Sequence, residues 1–314
     1  MEVYFGLPRR PLPAGWLTIG SFDGVHRGHA KVARRLLQLA RRQGAPTSVM
    51  TFDPHPRCVL APDTCPLSLT TVDEKAAVLA ELGIDNLVVM PFTHRLSQLT
   101  ATEFMDKTLA RVPLRCLVIG YDFALGHQRR GDRPFLEHYG DRHGFEVEVI
   151  PPHSAEGHVV SSSRIRELLL EGRVGHAARL LGRHYSISSF VEHGTGTGSR
   201  IGFPTANLAI TPNKLVPRNG VYAVWVDVAG NAYPGALNAG YRPTFGGNRL
   251  TVEAFIFDFD RDLYHEEVRV RFVQRIRDEK KFDSPEALVE QIGKDVSRAR
   301  VILRAPGPRR RTHL

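Results

Sequence analysis

Down to about residue 183 the chain alternates two hydrophobic rhythms. Short, continuously apolar runs predict strands over Trp16–Ile19, Thr47–Thr51, Asn86–Met90, Leu114–Ile119 and Glu146–Ile150. Between them apolar residues recur at helical spacing, as at Val32, Leu36, Leu37 and Leu39. That spacing predicts helices over Ala30–Gln43, Val72–Leu82, Ala101–Leu109 and Arg133–His143. Alternation of this kind predicts an α/β fold, a parallel sheet with helices on both faces, whose ligands bind beyond the carboxyl ends of the strands. Two further helical segments, Ile165–Leu170 and Arg173–Leu181, close this half.

Around Leu180-Leu181-Gly182-Arg183-His184-Tyr185 the rhythm changes to short alternating strands separated by turns. Candidates are Tyr185–Val191, Gly220–Val228, Ala232–Ala239, Thr251–Phe257 and Glu267–Val273, with turn signals at Ala229-Gly230-Asn231 and Phe245-Gly246-Gly247-Asn248. This pattern predicts a small antiparallel β-barrel. One helix, Pro285–Leu303, follows, with Ser284 as N-cap and proline in its first turn. The expected division is a domain of residues 1–183, a second of residues 184–306 and a basic, disordered tail of residues 307–314.

Composition narrows the class. With 42% hydrophobic and 24% charged residues in 314, the chain is an ordinary globular sequence, long enough for two domains. The start carries no basic segment followed by an apolar core, and no apolar run approaches about 18 residues. Neither a secretory signal nor a membrane span is expected, and the expected setting is cytoplasmic. Cys58, Cys65 and Cys116 lack Cys-x-x-Cys spacing, which argues against structural zinc and against a disulfide framework. The net charge of +9 invites a nucleic-acid reading. Its distribution argues otherwise: residues 1–183 carry 23 basic and 19 acidic side chains, residues 184–314 carry 19 and 14, and Arg309, Arg310 and Arg311 account for most of the second excess. A modest positive field suits anionic nucleotides as well.

The candidate chemistry falls at strand ends. Gly20-Ser21-Phe22-Asp23-Gly24-Val25-His26-Arg27-Gly28-His29 links the first strand to the first helix. Gly24 and Gly28 let backbone approach a ligand, the helix start offers N–H groups to an anion, and His26 and His29, three apart, can converge on one phosphate. Two solvated histidines, or a zinc pair lacking a third ligand, are the competing readings. Phe52-Asp53-Pro54-His55-Pro56 follows the second strand as a rigid loop or plain turn. Gly120-Tyr121-Asp122-Phe123-Ala124-Leu125-Gly126 with Arg129 and Arg130 follows the fourth, a nucleotide loop or merely a wet one. Ser161, Ser162 and Ser163 ahead of Arg164 and Arg166 form either a helix cap, with Glu167 in a capping-box variant, or a polyphosphate clamp. In the second half, the glycines of His193–Gly202 can cradle phosphates, and Pro204-Thr205-Ala206-Asn207 is either an ordinary turn or a site where Thr205 and Asn207 are oxygen donors suited to Mg²⁺.

Taken together and in this order, Gly-Ser-Phe-Asp-Gly-Val-His-Arg-Gly-His, Thr-Phe-Asp-Pro-His-Pro, Ser-Ser-Ser-Arg-Ile-Arg and Pro-Thr-Ala-Asn resemble the bacterial bifunctional riboflavin kinase/FAD synthetase family. The resemblance runs from about Thr18 to Arg300. Its first half is similar to the nucleotidylyltransferase superfamily, whose His-x-Gly-His matches His26, Gly28 and His29. That superfamily's Ile-Ser-Ser-Thr-x-Ile-Arg matches Val160 to Arg166, with Ser163 in place of threonine.

The implied activities are phosphorylation of riboflavin to FMN in the second domain and adenylyl transfer from ATP to FMN in the first, with Mg²⁺. The resemblance implies that Gly20, Phe22, Asp23, Gly24, Gly28, Ser162, Ser163, Arg164 and Arg166 bind ATP, that Asp53, His55 and Asp122 approach FMN, and that His26 and His29 act on the phosphates. For the kinase it implies Glu253 as general base, Gly194, Gly196, Gly198, Gly202 and Arg242 around the substrates, and Thr205 and Asn207 on the metal. It also places Asn238–Phe245 near the flavin and Arg277–Phe282 as a flap. The family's glycine loop carries its arginine one position earlier than Ser199-Arg200 does here, which leaves a single-activity FMN adenylyltransferase as the alternative. A nucleic-acid-binding flavin sensor ranks below both. The expected partners are riboflavin, FMN and ATP, with neither nucleic acid nor membrane.

Overall fold

The computed structural model describes residues 1–155, 157–193, 198, 201–244 and 247–304, and of residues 242–244 and 247–249 only the backbone. The chain divides into two compact units, Met1–Ser162 and Ser163–Leu314. The change of rhythm near residue 183 therefore falls inside the second unit. Residues 163–183 are helical like the first half, but the N–H of Arg218 donates to the Leu169 carbonyl and Gly172 packs on the Arg275 side chain.

In the first unit, β1 (Glu2–Phe5), β2 (Gly15–Ile19), β3 (Thr47–Asp53), β4 (Asn86–Pro91), β5 (Leu114–Gly120) and β6 (Glu146–Ile150) form one sheet of order β1-β4-β3-β2-β5-β6, parallel throughout. The helices are α1 (Arg27–Arg42), α2 (Pro56–Leu60), α3 (Val72–Leu82), α4 (His94–Ser97), α5 (Ala101–Leu109) and α6 (Arg133–His143), and a short antiparallel pair, β7 (Ser154–Ala155) and β8 (His158–Val159), comes after β6 in the chain. Strand alternation splits the core in two. Trp16, Val49 and Leu87 face α1 and α3, while their neighbours Leu17, Met50 and Val88 face α5 and α6. The chain winds from β2 to β4 on one side, then crosses to β5 on the other, so the loops after β2 and β5 flank the switch point.

Sequence periodicity missed β1. It is a four-residue edge strand with three exposed residues, and its order comes from pairing with β4. The cysteine reading also needs correction: Cys58 and Cys65 are joined in a disulfide. Helix α2 and the 3-10 turn Pro62–Thr64 fold the intervening chain back and bring their Cα atoms to 4.3 Å. Cys116 is buried in the sheet, and burial pushes its thiol up to about 12.

The second unit takes most of α7 (Ser162–Leu170), then α8 (Val174–Leu181) and a closed barrel. The barrel strands are β9 (Tyr185–Glu192), β10 (Ala206–Leu208), β11 (Gly220–Val228), β12 (Asn231–Thr244), β13 (Gly247–Ile256) and β14 (Glu267–Arg277), in order β10-β13-β12-β11-β14-β9. Tyr222, Val224, Leu237, Val252, Ala254, Val270 and Phe272 are fully buried or nearly so. They alternate along their strands with residues of the outer face, and so fill the barrel's interior. Helix α9 (Pro285–Arg304), capped by the Ser284 hydroxyl, lays Val296, Ala299 and Leu303 against that outer face at Ala223, Trp225, Ala236 and Phe255. The tail from residue 305 and the turn at Phe245-Gly246 lie outside the described residues.

Candidate active sites

The loop after β2 is strained and tightly held. Phe22 (φ 46°) and Val25 (φ 37°) adopt left-handed backbone that costs a non-glycine residue about 1–3 kcal/mol. Both side chains are buried in the core beneath α1, which offsets part of that cost. The Asp23 carboxylate accepts from the backbone N–H groups of Leu69 (2.9 Å) and Thr70 (3.2 Å), and the Gly24 N–H donates to the Thr70 hydroxyl (3.1 Å). The Ser162 hydroxyl donates to the Asp23 carbonyl at 2.9 Å. Of the residues expected at ATP, Asp23 thus staples the loop and Phe22 anchors it. Gly20 begins the loop, where an added Cβ would crowd the Phe22 ring at 3.2 Å.

His26 is the N-cap of α1. Its Nδ1 accepts from the N–H groups of Gly28 (3.1 Å) and His29 (3.3 Å), which places the ring proton on Nε2. Glycine at position 28 eases this fold-back, because a Cβ there would stand 3.0 Å from the His26 ring. The His29 ring stacks on that of His26, with centroids 3.7 Å apart and planes 14° from parallel, and Phe22 lies 4.9 Å from His29. The convergence expected from the spacing is therefore a stacked pair at a helix start whose first turn carries no acidic side chain.

The neighbouring loops are less open than their sequences imply. His55 caps α2, with Nδ1 accepting from the Arg57 N–H at 3.2 Å, while Asp53 ends β3, exposed. Asp122 is exposed, and its carbonyl accepts from the Arg129 guanidinium at 2.7 Å. Ser163, Arg164 and Arg166 follow Ser162 on α7. Glu167 pairs with Arg164 at 2.8 Å, and that hydrogen bond raises the guanidinium's proton affinity further.

One group at this site escaped the sequence reading. Lys75 on α3 is 6% exposed, and its Nζ donates to the Ser21 carbonyl (2.7 Å) and the Thr51 hydroxyl (2.8 Å). Thr51 in turn donates to the same carbonyl at 2.8 Å. Burial pulls the ammonium down to about 8 against the opposing pull of Asp23 and Asp53. The signal was available: Lys75 precedes Val78 and Leu79 by three and four residues, a charge on the apolar face of its helix.

In the second unit a cavity of about 340 Å³ lies between the outer barrel face and α9. Val221, Ala236 and Phe255 wall it on the sheet side, and Leu288, Ile292 and Val296 on the helix side. Gly198, Thr205, Asn238 and Glu253 bring polar edges to it. The barrel's register explains their meeting: Glu253 is directly opposite Asn207 on β10 and Asn238 on β12, which puts the three residues in one cross-strand row. Gly198 closes the entry turn. Its carbonyl accepts from the Phe203 N–H at 2.9 Å, and a Cβ would strike the Phe203 carbonyl at 2.4 Å. Gly202 has φ +85°. Gly194, Gly196, Ser199, Arg200 and the Arg242 side chain lie outside the described residues.

The segment after β14 borders the same cavity through Arg277, Glu279, Lys280 and Phe282. Glu279 lies on the backbone of Gly240, where a Cβ would overlap its carboxylate, so the Asn238–Thr244 and Arg277–Phe282 motifs meet in space. Arg277 is tied to α9 by a two-pronged pair with Asp295: Nε to Oδ1 at 2.9 Å and Nη2 to Oδ2 at 2.7 Å, at 16% and 6% side-chain exposure.

A parallel sheet with a histidine pair at its switch point, joined to a barrel with a carboxylate-edged cavity, defines a two-unit nucleotide-dependent transferase. The FAD synthetase family matches residues 11–164 and the riboflavin kinase family residues 181–303. The bifunctional riboflavin kinase/FMN adenylyltransferase of Pseudomonas fluorescens is 40% identical over 295 residues, spanning 93% of this chain and 94% of that protein. The protein of the same name from Listeria monocytogenes is 37% identical over 281 residues, 89% of each chain. A crystal structure described as a macrolide-efflux protein from Streptococcus pneumoniae aligns with a TM-score of 0.86 at 33% identity, over 96% of this chain and 99% of that one. Among the described residues no helix is long and apolar enough to cross a membrane. The chain belongs to the family of bifunctional riboflavin kinase/FMN adenylyltransferases.

Proposed function

We propose that the second unit transfers the γ-phosphoryl group of ATP to riboflavin, and that the first unit joins the resulting FMN to AMP from a second ATP. The observation that carries this reading is the relationship to bifunctional enzymes over both units at once, 93% of the chain at 40% identity. In the first unit an FMN phosphate oxygen attacks the α-phosphorus, forming the new P–O bond as the α–β bridging bond breaks and pyrophosphate leaves. FMN phosphate is already nucleophilic, so the protein's work is alignment and charge stabilisation. The Nε2–H of His26 and the His29 ring donate to the phosphate oxygens. Ser163, Arg164 and Arg166 are assigned to the β- and γ-phosphates by family resemblance, which requires Arg164 to exchange Glu167 for phosphate.

In the second unit Glu253 accepts the proton of the ribityl 5′-hydroxyl as that oxygen attacks the γ-phosphorus. The apolar walls take the flavin ring, and a cavity of about 340 Å³ is within the range of small-molecule sites. Thr205 and Asn207, two residues apart and edging this face, are hard neutral oxygens, the donors Mg²⁺ accepts when phosphates supply its other ligands. The metal would neutralise phosphate charge there. The soluble substrates fit the cytoplasmic setting expected from sequence.

An endpoint assay tests the whole reading. Purified protein with ATP and Mg²⁺ receives riboflavin in one tube and FMN in another, and the flavins are separated by chromatography. FMN and FAD from riboflavin, with FAD from FMN, is the expected result. FAD from FMN alone would leave a single-activity adenylyltransferase and turn attention to the displaced arginine at Ser199-Arg200. No conversion in either tube would overturn the assignment.

A further inference from the structure

We propose that Lys75 is a positioning residue for adenylyl transfer: its ammonium clamps the Ser21 carbonyl to the Thr51 hydroxyl and so holds the strained turn that presents His26 and His29. The proposal rests on the FMN adenylyltransferase reading of the first unit.

Three observations meet at this lysine. It is almost fully buried, and both of its recorded partners lie at carboxyl ends of strands. One is on the histidine loop after β2. The other is on β3, two residues before Asp53 and the loop that carries His55. The ammonium therefore ties the loop expected to hold ATP to the one expected to approach FMN. The loop it grips contains Phe22 and Val25 in left-handed conformations, which persist only where surrounding contacts over-determine them. Asp23, Thr70 and Ser162 hold the far side of that turn, and Lys75 with Thr51 holds the near side. Finally, the position is costly. Burial depresses the ammonium's proton affinity even with Asp23 and Asp53 facing it. An apolar side chain of similar length would fill the volume without that penalty. Charge and donors are kept here for the geometry of the loop.

The test compares wild type, Lys75→Met and Lys75→Arg in steady-state FAD formation. Riboflavin phosphorylation by the same preparations serves as an internal control of folding. Displacing reacting groups by about 1 Å costs about 10²-fold in rate. The expected result for Lys75→Met is thus a fall of that order in kcat with KM for ATP and FMN within about threefold, the split that marks a loss felt in the transition state. Its unfolding temperature should match or exceed that of wild type, and Lys75→Arg should recover much of the rate. Thr51→Val, which removes the shared hydroxyl, should move kcat the same way by less. Full kcat in Lys75→Met overturns the proposal. So does a kcat loss that tracks a fall in unfolding temperature and is not recovered by arginine, which would make Lys75 a packing residue only. Wild type that forms no FAD would instead overturn the adenylyltransferase reading, and the proposal with it.

Discussion

In the first unit the groups proposed to act are neighbours in sequence, and in the second they are neighbours only across strands. His26 and His29 sit on one turn at the start of α1, stacked 3.7 Å apart. Asn207, Asn238 and Glu253 come from β10, β12 and β13 and meet through register. A loop site depends on what holds a single strained turn. A sheet-face site depends on the barrel closing in the right register, and on α9 and the segment Arg277–Phe282, the proposed flap, that border it. Damage should therefore travel differently: within one loop in the first case, and from the α9–flap contact into the cavity in the second.

The sharpest way to break this comparison is a reciprocal pair of variants. Glu253→Gln should lower FMN formation by about 10²–10⁴, the usual worth of a placed base, while FAD formation from supplied FMN is unchanged. His29→Ala should lower FAD formation by about 10²–10³, the cost of one transition-state donor, while FMN formation is unchanged. Chromatography of both flavins from each variant decides it. Loss of both activities in either protein would mean that the two sites are not separable in this way.

A finer test separates chemistry from scaffold at His26, which does two jobs. Its Nδ1 caps α1, and its Nε2–H is the donor proposed for phosphate. His26→Asn keeps a capping oxygen and loses the Nε2 donor. It should lose FAD formation by a factor close to that of His29→Ala with little change in unfolding temperature. His26→Ala should lose the same rate and also about 1 kcal/mol of stability with the cap. Equal stability of the two variants would show that the cap contributes nothing and that the pair acts through its rings alone.

Much of this was legible in the sequence, for reasons that differ between the units. The parallel strands are buried on both faces and read as continuous apolar runs; the edges of Val72–Leu82, Ala101–Leu109 and Arg133–His143 coincide with threonine or aspartate caps whose bonds the structure records. The histidine loop was legible because its groups are contiguous. Edge strand β1 was not, because pairing rather than pattern orders it. Cys58 and Cys65 were not, because their approach depends on the fold of the span between them, at a sequence separation of seven. In the second unit, resemblance pointed to Glu253 and Asn207, but nothing in spacing says that residues 207, 238 and 253 share a row. The close approach of the His26 ring to Gly28 was not legible either, since a one-dimensional motif does not say which neighbour lies where the Cβ is missing.

The roof of the second site offers a test of intermediate size. Asp295 holds Arg277 at the base of the flap, and Gln291 donates to the same carboxylate at 3.0 Å. Removing one partner of a nearly buried pair costs about 3–5 kcal/mol when the other charge is trapped. At the cavity rim Arg277 can swing toward water, so the loss should appear mainly as a misplaced flap. Asp295→Asn should raise KM for riboflavin about tenfold, some 1.4 kcal/mol, with a smaller effect on kcat and none on FAD formation from FMN. An unchanged KM would remove the α9–flap contact from the account of the cavity.

A last expected effect concerns the first unit's buried charge, and its sign is fixed by linkage. Burial lowers Lys75 from 10.5 to about 8, with Asp23 and Asp53 pulling the other way. Because the folded value lies below the unfolded one, the unfolded chain binds more protons between about pH 8 and about pH 10.5, and stability from this group rises with pH across that interval. The desolvation burden is complete below about 8 and is gone above the unfolded value. Wild type should therefore gain unfolding temperature relative to Lys75→Met as calorimetry moves from about pH 7 to about pH 10. At about 2–4 °C per kcal/mol the gain should be several degrees. The riboflavin kinase unit, which contains neither Lys75 nor its carboxylates, should show no such difference between the two proteins. A flat difference in the first unit would mean that the ammonium is not confined as the structure places it, and the strained histidine turn would then be held by Asp23, Thr70 and Ser162 alone.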